Sequence, residues 1–147
     1  MIEDVRAFQA RFDQLVPGRV THLTRRKLDE RARFLEEELH EFRRATVVQD
    51  LEQQADALVD LVYVALGTAV MLGLPWDELW RDVHAANMRK VRGPTHRGNL
   101  KDVTKPPGWV GPDAEVILAI AGYDRDNFIR DGLVADDLCL DDPEHRA

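Results

Sequence analysis

The chain has 147 residues, 44% hydrophobic and 32% charged, with a net charge of −7, which is enough apolar material for one core and too much for a disordered chain. So acidic a chain is poorly suited to unaided binding of DNA or RNA, where cations must replace condensed counterions, and a phosphorylated substrate is expected to come with a divalent metal. A single cysteine, Cys139, excludes an internal disulfide.

The opening MIEDVRAFQARF is amphipathic and acidic and lacks the apolar centre of a signal peptide. It predicts a first helix over 3–16, with Val5, Phe8, Phe12 and Leu15 at helical spacing and Pro17-Gly18 as the stop. A second helix over 25–45 lines up Leu28, Ala32, Leu35, Leu39 and Phe42. The third, over 50–72, is nearly apolar all round after Ala57 and ends at Gly73, which marks it as a central buried helix. The longest apolar run of the chain, 61–74, is shorter than the roughly 20 residues of a membrane span, so no membrane and a cytoplasmic setting are expected. Pro75 suits the first turn of a fourth helix, which reaches residue 91 with Leu79, Val83 and Ala86 inside.

Residues 93–112, GPTHRGNLKDVTKPPGWVGP, have the composition of a loop, and its length suits a lid or binding segment. Asp113 caps a fifth helix with Val116, Ile117, Ile120 and Ala121 on its apolar side, and 131–147 form an acidic tail. The expectation is an all-α fold without strands, a bundle of about five helices in one domain over 1–130. Its core is completed by homo-oligomerisation, since one small bundle can hardly cover an apolar helix on every side.

Helix two carries Glu37, Glu38 and Glu41 as an EExxE pattern. At roughly 100° per residue these three share one flank of the apolar stripe, and Glu36 falls on the other flank with His40. Like charges within one turn repel; a bound cation turns that repulsion into coordination, while a solvated acidic face is the plainer reading. Helix three adds Asp56 and Asp60 one turn apart, with Asp60 leading straight into LVYVALGTAVMLGL. A carboxylate in so apolar a segment is expected to be partly buried, and therefore paired or metal-bound; Arg31 and Arg89 are the candidate ion-pair partners. Acids on two helices make the oxygen-rich donor set that Mg²⁺ or Mn²⁺ prefers.

EEELHEF, ADALVDLVYVALGTAVMLGL and VHAANMRK together resemble the all-α NTP pyrophosphatase superfamily, which includes MazG-like enzymes, dimeric dUTPases and phosphoribosyl-ATP pyrophosphohydrolases. The similarity covers 1–112 and is nearest to the stand-alone MazG-like branch, which has HxxNMxK followed by a Lys-Pro-Pro-Gly-Trp-like segment. The superfamily's second acidic element is usually ExxD; Asp60 matches its last acid, but Ala57 stands where the first belongs and Asp56 lies one residue earlier. The resemblance implies a homodimer or dimer of dimers and a divalent ion. It also implies hydrolysis of a nucleoside triphosphate to monophosphate and pyrophosphate, with dUTP the first substrate expected and phosphoribosyl-ATP the alternative. Glu38, Glu41 and Asp60 are then metal ligands with Asp56 and Glu37 in support, and Glu37 or Glu38 serves the proton transfer. Asn87 and Lys90 match the Asn and Lys of HxxNMxK and are expected on phosphate oxygens, with Lys105 and His84 as further candidates. Tyr63, one turn past Asp60, either donates to a ligand or packs; Phe8, Phe12, Trp76 and Trp109 are more often core than nucleobase contacts. A di-iron bundle would need the Glu37-x-x-His40 pattern on a second helix, and helix three has no histidine. A non-enzymatic acidic interaction module gives no reason for Asp56 and Asp60 to interrupt a core helix.

Overall fold

The computed structural model describes residues 1–93 and 102–125; the acidic tail expected at 131–147, with Cys139, and Lys101 in the loop lie outside the described residues. Five helices are present, α1 Ile2–Arg11, α2 Arg25–Val47, α3 Leu51–Met71, α4 Trp76–Met88 and α5 Ala114–Ile120, with two short strands, β1 Val91–Arg92 and β2 Val103–Thr104. They fall into two compact units, Met1–Leu74 together with residues 122–125, and Pro75–Ala121.

In the first unit, side-chain caps set where α2 and α3 begin. The Thr24 hydroxyl accepts the Lys27 N–H at 3.3 Å, and the Asp50 carboxylate accepts the Gln53 N–H at 3.1 Å. All three helices of this unit end in the same way, with a residue turned left-handed and two backbone N–H groups bonded back into the last turn. Those residues are Asp13 at φ 53°, Gln49 at φ 57° and Gly73 at φ 62°. At α3, for example, Gly73 N–H donates to the Val70 carbonyl and Leu74 N–H to the Ala69 carbonyl, both at 3.0 Å. Asp13 therefore ends α1 five residues before the expected stop; Asp tolerates the left-handed region because its short side chain bonds locally, so Pro17-Gly18 is not needed for the turn.

α2 and α3 form an antiparallel hairpin. Near its turn the Gln54 amide donates to the Ala45 carbonyl at 3.3 Å; at its far end the Arg31 guanidinium donates to Thr68 Oγ1 at 3.0 Å and the Val64 carbonyl at 2.8 Å. α1 lies on α3, with Gln9 Nε2 donating to the Gly67 carbonyl at 2.9 Å and Phe8 edge-on to Tyr63 at 5.6 Å. Gly67 permits this approach, since a Cβ there would lie 3.1 Å from both the Arg31 and Gln9 side-chain nitrogens. The core gathers Val5, Ala45, Ala57, Leu66, Ala69, Val70 and Met71.

α3 is not buried all round, as its composition led us to expect. α1 and α2 cover one side of it, and Leu51, Leu58, Val59 and Val62 stay exposed. At 21 residues it also has the length and apolar composition of a membrane span, which the run 61–74 alone does not reach; core helices of water-soluble proteins meet the same test.

In the second unit Pro75 sits at the N-cap of α4 rather than in its first turn, and the helix stops at Met88. The chain then enters β1, which pairs antiparallel with β2 through Val91 opposite Thr104 and Arg92 opposite Val103. A two-residue ladder is too short to leave a period-two pattern in the sequence, which is why no strand was expected. Trp109 Nε1 donates to the Ala86 carbonyl at 2.8 Å, and Asp113 N–H to the Asp82 carboxylate at 2.6 Å. Asp113 caps α5 as expected, accepting the Val116 N–H at 3.1 Å. Its inward residues are Ile117 and Leu118; Val116, Ile120 and Ala121, expected on the apolar side, are exposed.

Candidate metal centre

The hairpin brings the acids of α2 and α3 together. Glu38 is the focus. Its carboxyl is pushed above the usual glutamate range by desolvation first, then by the negative charges of Asp60, Glu41, Glu37 and Asp56. All five acids singled out by spacing thus sit within electrostatic reach of one point, and Glu36, assigned to the other flank, is not among the charges that act there. Glu38 is half-buried, while Glu37, Glu41, Asp56 and Asp60 are exposed.

Exposure of Asp60 corrects the expectation that it is partly buried. It lies on the side of α3 that also leaves Val59 uncovered, so water rather than a counter-ion meets its charge. Neither expected ion-pair partner serves it: Arg31 bonds Thr68 and Val64, and Arg89 donates to the Val110 carbonyl at 3.1 Å. Among the described residues, Glu37, Glu38, Asp56 and Asp60 have no cation within salt-bridge distance; Glu41 has Arg44 at 3.5 Å, an exposed pair worth little.

Hard carboxylate oxygens, mutually repelling and mostly unpaired, are a chemical fit to a divalent ion of the Mg²⁺ or Mn²⁺ kind. The fit is one of donor chemistry alone: among the described residues no three such side chains converge at ligating geometry, and holding an ion would require the carboxylates to turn inward. The repulsion has a measurable sign. Glu38 holds a proton more tightly in the folded chain than in the unfolded one, so its ionisation destabilises the fold as pH rises from about 4.5 through its raised value. In the absence of metal, Glu38→Gln is expected to melt above the parent at pH 7, with the difference closing toward pH 4.5 in thermal melts.

Of the residues expected on the substrate, Tyr63 packs half-buried against Phe8. His84 and Asn87 are exposed on α4. Lys90 lies beyond the end of α4, so it does not extend the helical row of His84 and Asn87; its ammonium sits 5.9 Å from the centroid of the Trp109 ring, and that of Lys105 sits 4.5 Å from it. Trp109, expected from the sequence among the core aromatics, instead stands beside both lysines. The signal was there in the four-residue spacing of Lys105 and Trp109 across Pro-Pro-Gly.

A mostly helical chain with an EExxE helix set against the acids of the next helix defines a class, the all-α NTP pyrophosphatases. The phosphoribosyl-ATP pyrophosphohydrolase family matches residues 5–87, more than half of the chain and all five acids, and the chain belongs to this family within that superfamily. No curated protein matches the chain significantly. Membership supports a nucleotide pyrophosphohydrolase-like activity, and enzymes of this family are generally dependent on a divalent metal. The family description fits phosphoribosyl-ATP better than dUTP, the substrate first expected from the sequence.

Proposed function

We propose that the chain is a divalent-metal-dependent pyrophosphohydrolase that cleaves the α–β phosphoanhydride of a nucleotide, with phosphoribosyl-ATP ahead of dUTP as substrate. The reading is carried by the gathering of four acidic neighbours around Glu38, within the region that the family matches. Glu38, Glu41 and Asp60 would hold the ion, with Asp56 in support. When bound, the ion neutralises phosphate charge and makes water more acidic. Water adds to phosphorus, the bond to the diphosphate breaks, and the water's proton passes to a carboxylate oxygen of Glu37, the acid of the EExxE pattern left outside this ligand set. Asn87 and Lys90 are assigned to phosphate oxygens. Pyrophosphate release from phosphoribosyl-ATP, dUTP and the other dNTPs tests the substrate order; phosphoribosyl-ATP is expected to be turned over fastest, and a dNTP cleaved far faster than it would reverse the assignment.

A second copy of the chain is proposed to cover the exposed side of the hairpin. Leu28, Phe34 and Leu39 on α2 and Leu58, Val59 and Val62 on α3 leave more apolar surface than isolated exposed residues account for. Light scattering is expected to give at least twice the 16.8 kDa of one chain, and a monomeric mass at micromolar concentration would remove this element of the proposal.

A further inference from the structure

Arg31 is a charge without an opposite. It is half-buried on α2, and desolvation holds its guanidinium below the usual arginine range. Among the described residues no carboxylate lies within salt-bridge distance of it. Taking an unpaired cation out of water is costly, and hydrogen bonds to α3 are what offset that cost. Nε donates to Thr68 Oγ1 at 3.0 Å and Nη2 to the Val64 carbonyl at 2.8 Å, while the Thr68 hydroxyl donates to the same carbonyl at 3.0 Å. The three groups close a ring across the two helices, and the Phe34 ring backs the guanidinium at 5.3 Å. A planar fork meets two acceptors at once; the compact ammonium of a lysine, on its flexible stem, cannot hold that geometry.

The ring is placed where it bears on the acids. Along α2, Arg31 stands seven residues before Glu38 and Ala45 seven after it. Along α3, which runs the other way, Val64 and Thr68 stand four and eight residues past Asp60. Gln54, whose amide donates to the Ala45 carbonyl, stands six before Asp60. Glu38 and Asp60 thus lie midway between two ties, each roughly 10 Å away at 1.5 Å per residue. Packing between the ties is thin. Ala57 is buried there, but Leu35, Phe42 and Leu61 are half-buried, and Leu39 and Leu58 are exposed. The short connection from Val47 to Leu51 joins one end of the hairpin covalently. Arg31 ties the other end, so without it the helices can pivot about the turn and part where Glu38 and Asp60 meet.

We propose that Arg31 is a positioning residue of the metal centre, tying α2 to Val64 and Thr68 so that Glu38 and Asp60 stay close enough to share one divalent ion. That role rests on the reading of these acids as metal ligands; the ring of hydrogen bonds does not.

The test is a Mn²⁺ titration of the full chain with free Mn²⁺ read by electron paramagnetic resonance, which needs no turnover. Arg31→Lys keeps the charge and loses the fork. It is expected to weaken Mn²⁺ binding about tenfold, the lower end of what groups that orient metal ligands contribute. Thr68→Val removes another corner of the ring and is expected to weaken binding in the same direction. Gln9→Met is the control, since Gln9 bonds the Gly67 carbonyl on the same stretch of α3 from α1 rather than α2. It should lower the melting temperature and leave Mn²⁺ affinity at the parental value. Parental affinity in Arg31→Lys overturns the positioning role; if that variant does not fold, parental affinity in Thr68→Val does so. An equal loss in Gln9→Met also overturns it, because the effect would then be general loosening. The two readings fail separately: a parent chain that binds no Mn²⁺ refutes the metal centre itself, whereas one that binds Mn²⁺ regardless of Arg31 and Thr68 refutes the positioning role alone.

Discussion

Asp60→Asn is expected to lower pyrophosphohydrolase turnover by about 10²-fold or more, the scale of losing a catalytic metal's electrostatic contribution, while leaving the helices folded. Asparagine preserves the shape of the side chain and removes the charge that an ion needs. Asp60 is exposed and forms no ion pair among the described residues, so the substitution breaks no bond that supports the hairpin. It also removes the first-ranked of the negative charges acting on Glu38, so the metal-free variant should melt at or above the parent temperature. Mn²⁺ stabilises the parent by mass action if it binds only the folded chain, and that shift should nearly vanish in Asp60→Asn. Glu41→Gln is expected to behave alike, with little lost from its exposed contact to Arg44. Full activity together with a full Mn²⁺ shift in either variant would remove the residue from the metal centre.

Gly73→Ala should be the most damaging single methyl group in the first unit. Gly73 is left-handed, at φ 62°, and a Cβ there would lie 2.0 Å from the Arg19 carbonyl oxygen. The left-handed conformation alone costs an alanine roughly 1–2 kcal/mol. The contact is with backbone, so relief requires moving the segment around Arg19. That segment is tied to the end of α3 by the Thr21 N–H bond to the Leu72 carbonyl at 2.9 Å. Losing such a bond adds about 1 kcal/mol, and the displaced Val20 and Leu23 are both core residues. A total of about 3 kcal/mol or more is expected, a large part of the roughly 5–15 kcal/mol that holds a domain folded. Gly108 shares the left-handed geometry, at φ 72°, with nothing near a prospective Cβ. Denaturant melts of Gly73→Ala and Gly108→Ala therefore separate collision from backbone strain; equal losses in the two would mean that the collision with Arg19 has no weight.

Much of this architecture was readable because local chemistry settled it. Helix α2 begins where predicted, Gly73 ends α3, Asp113 caps α5, and the spacing of Glu37, Glu38, Glu41, Asp56 and Asp60 grouped the acids before their helices were seen together. What was not readable depends on partners distant in sequence. Burial of Asp60 could not be judged from apolar neighbours, because exposure depends on which side of α3 receives α1 and α2. The ties from Arg31 and Gln9 to the α3 backbone follow from the close approach that Gly67 permits, and composition does not reveal that approach. The pairing of Val91 with Thr104 is a matter of strand register, invisible until β1 and β2 are paired. α1 was drawn too long because an aspartate, rather than the obvious Pro-Gly, takes the left-handed turn.

The decisive measurement is phosphorus NMR of the products formed from phosphoribosyl-ATP by the parent chain with and without Mg²⁺, alongside Asp60→Asn. Pyrophosphate and the corresponding monophosphate should appear together, only with the divalent ion present, and at about one-hundredth of the parental rate or less in the variant. Release of orthophosphate in place of pyrophosphate, or turnover indifferent to both the ion and Asp60, would show that the acids around Glu38 do not form a pyrophosphohydrolase centre.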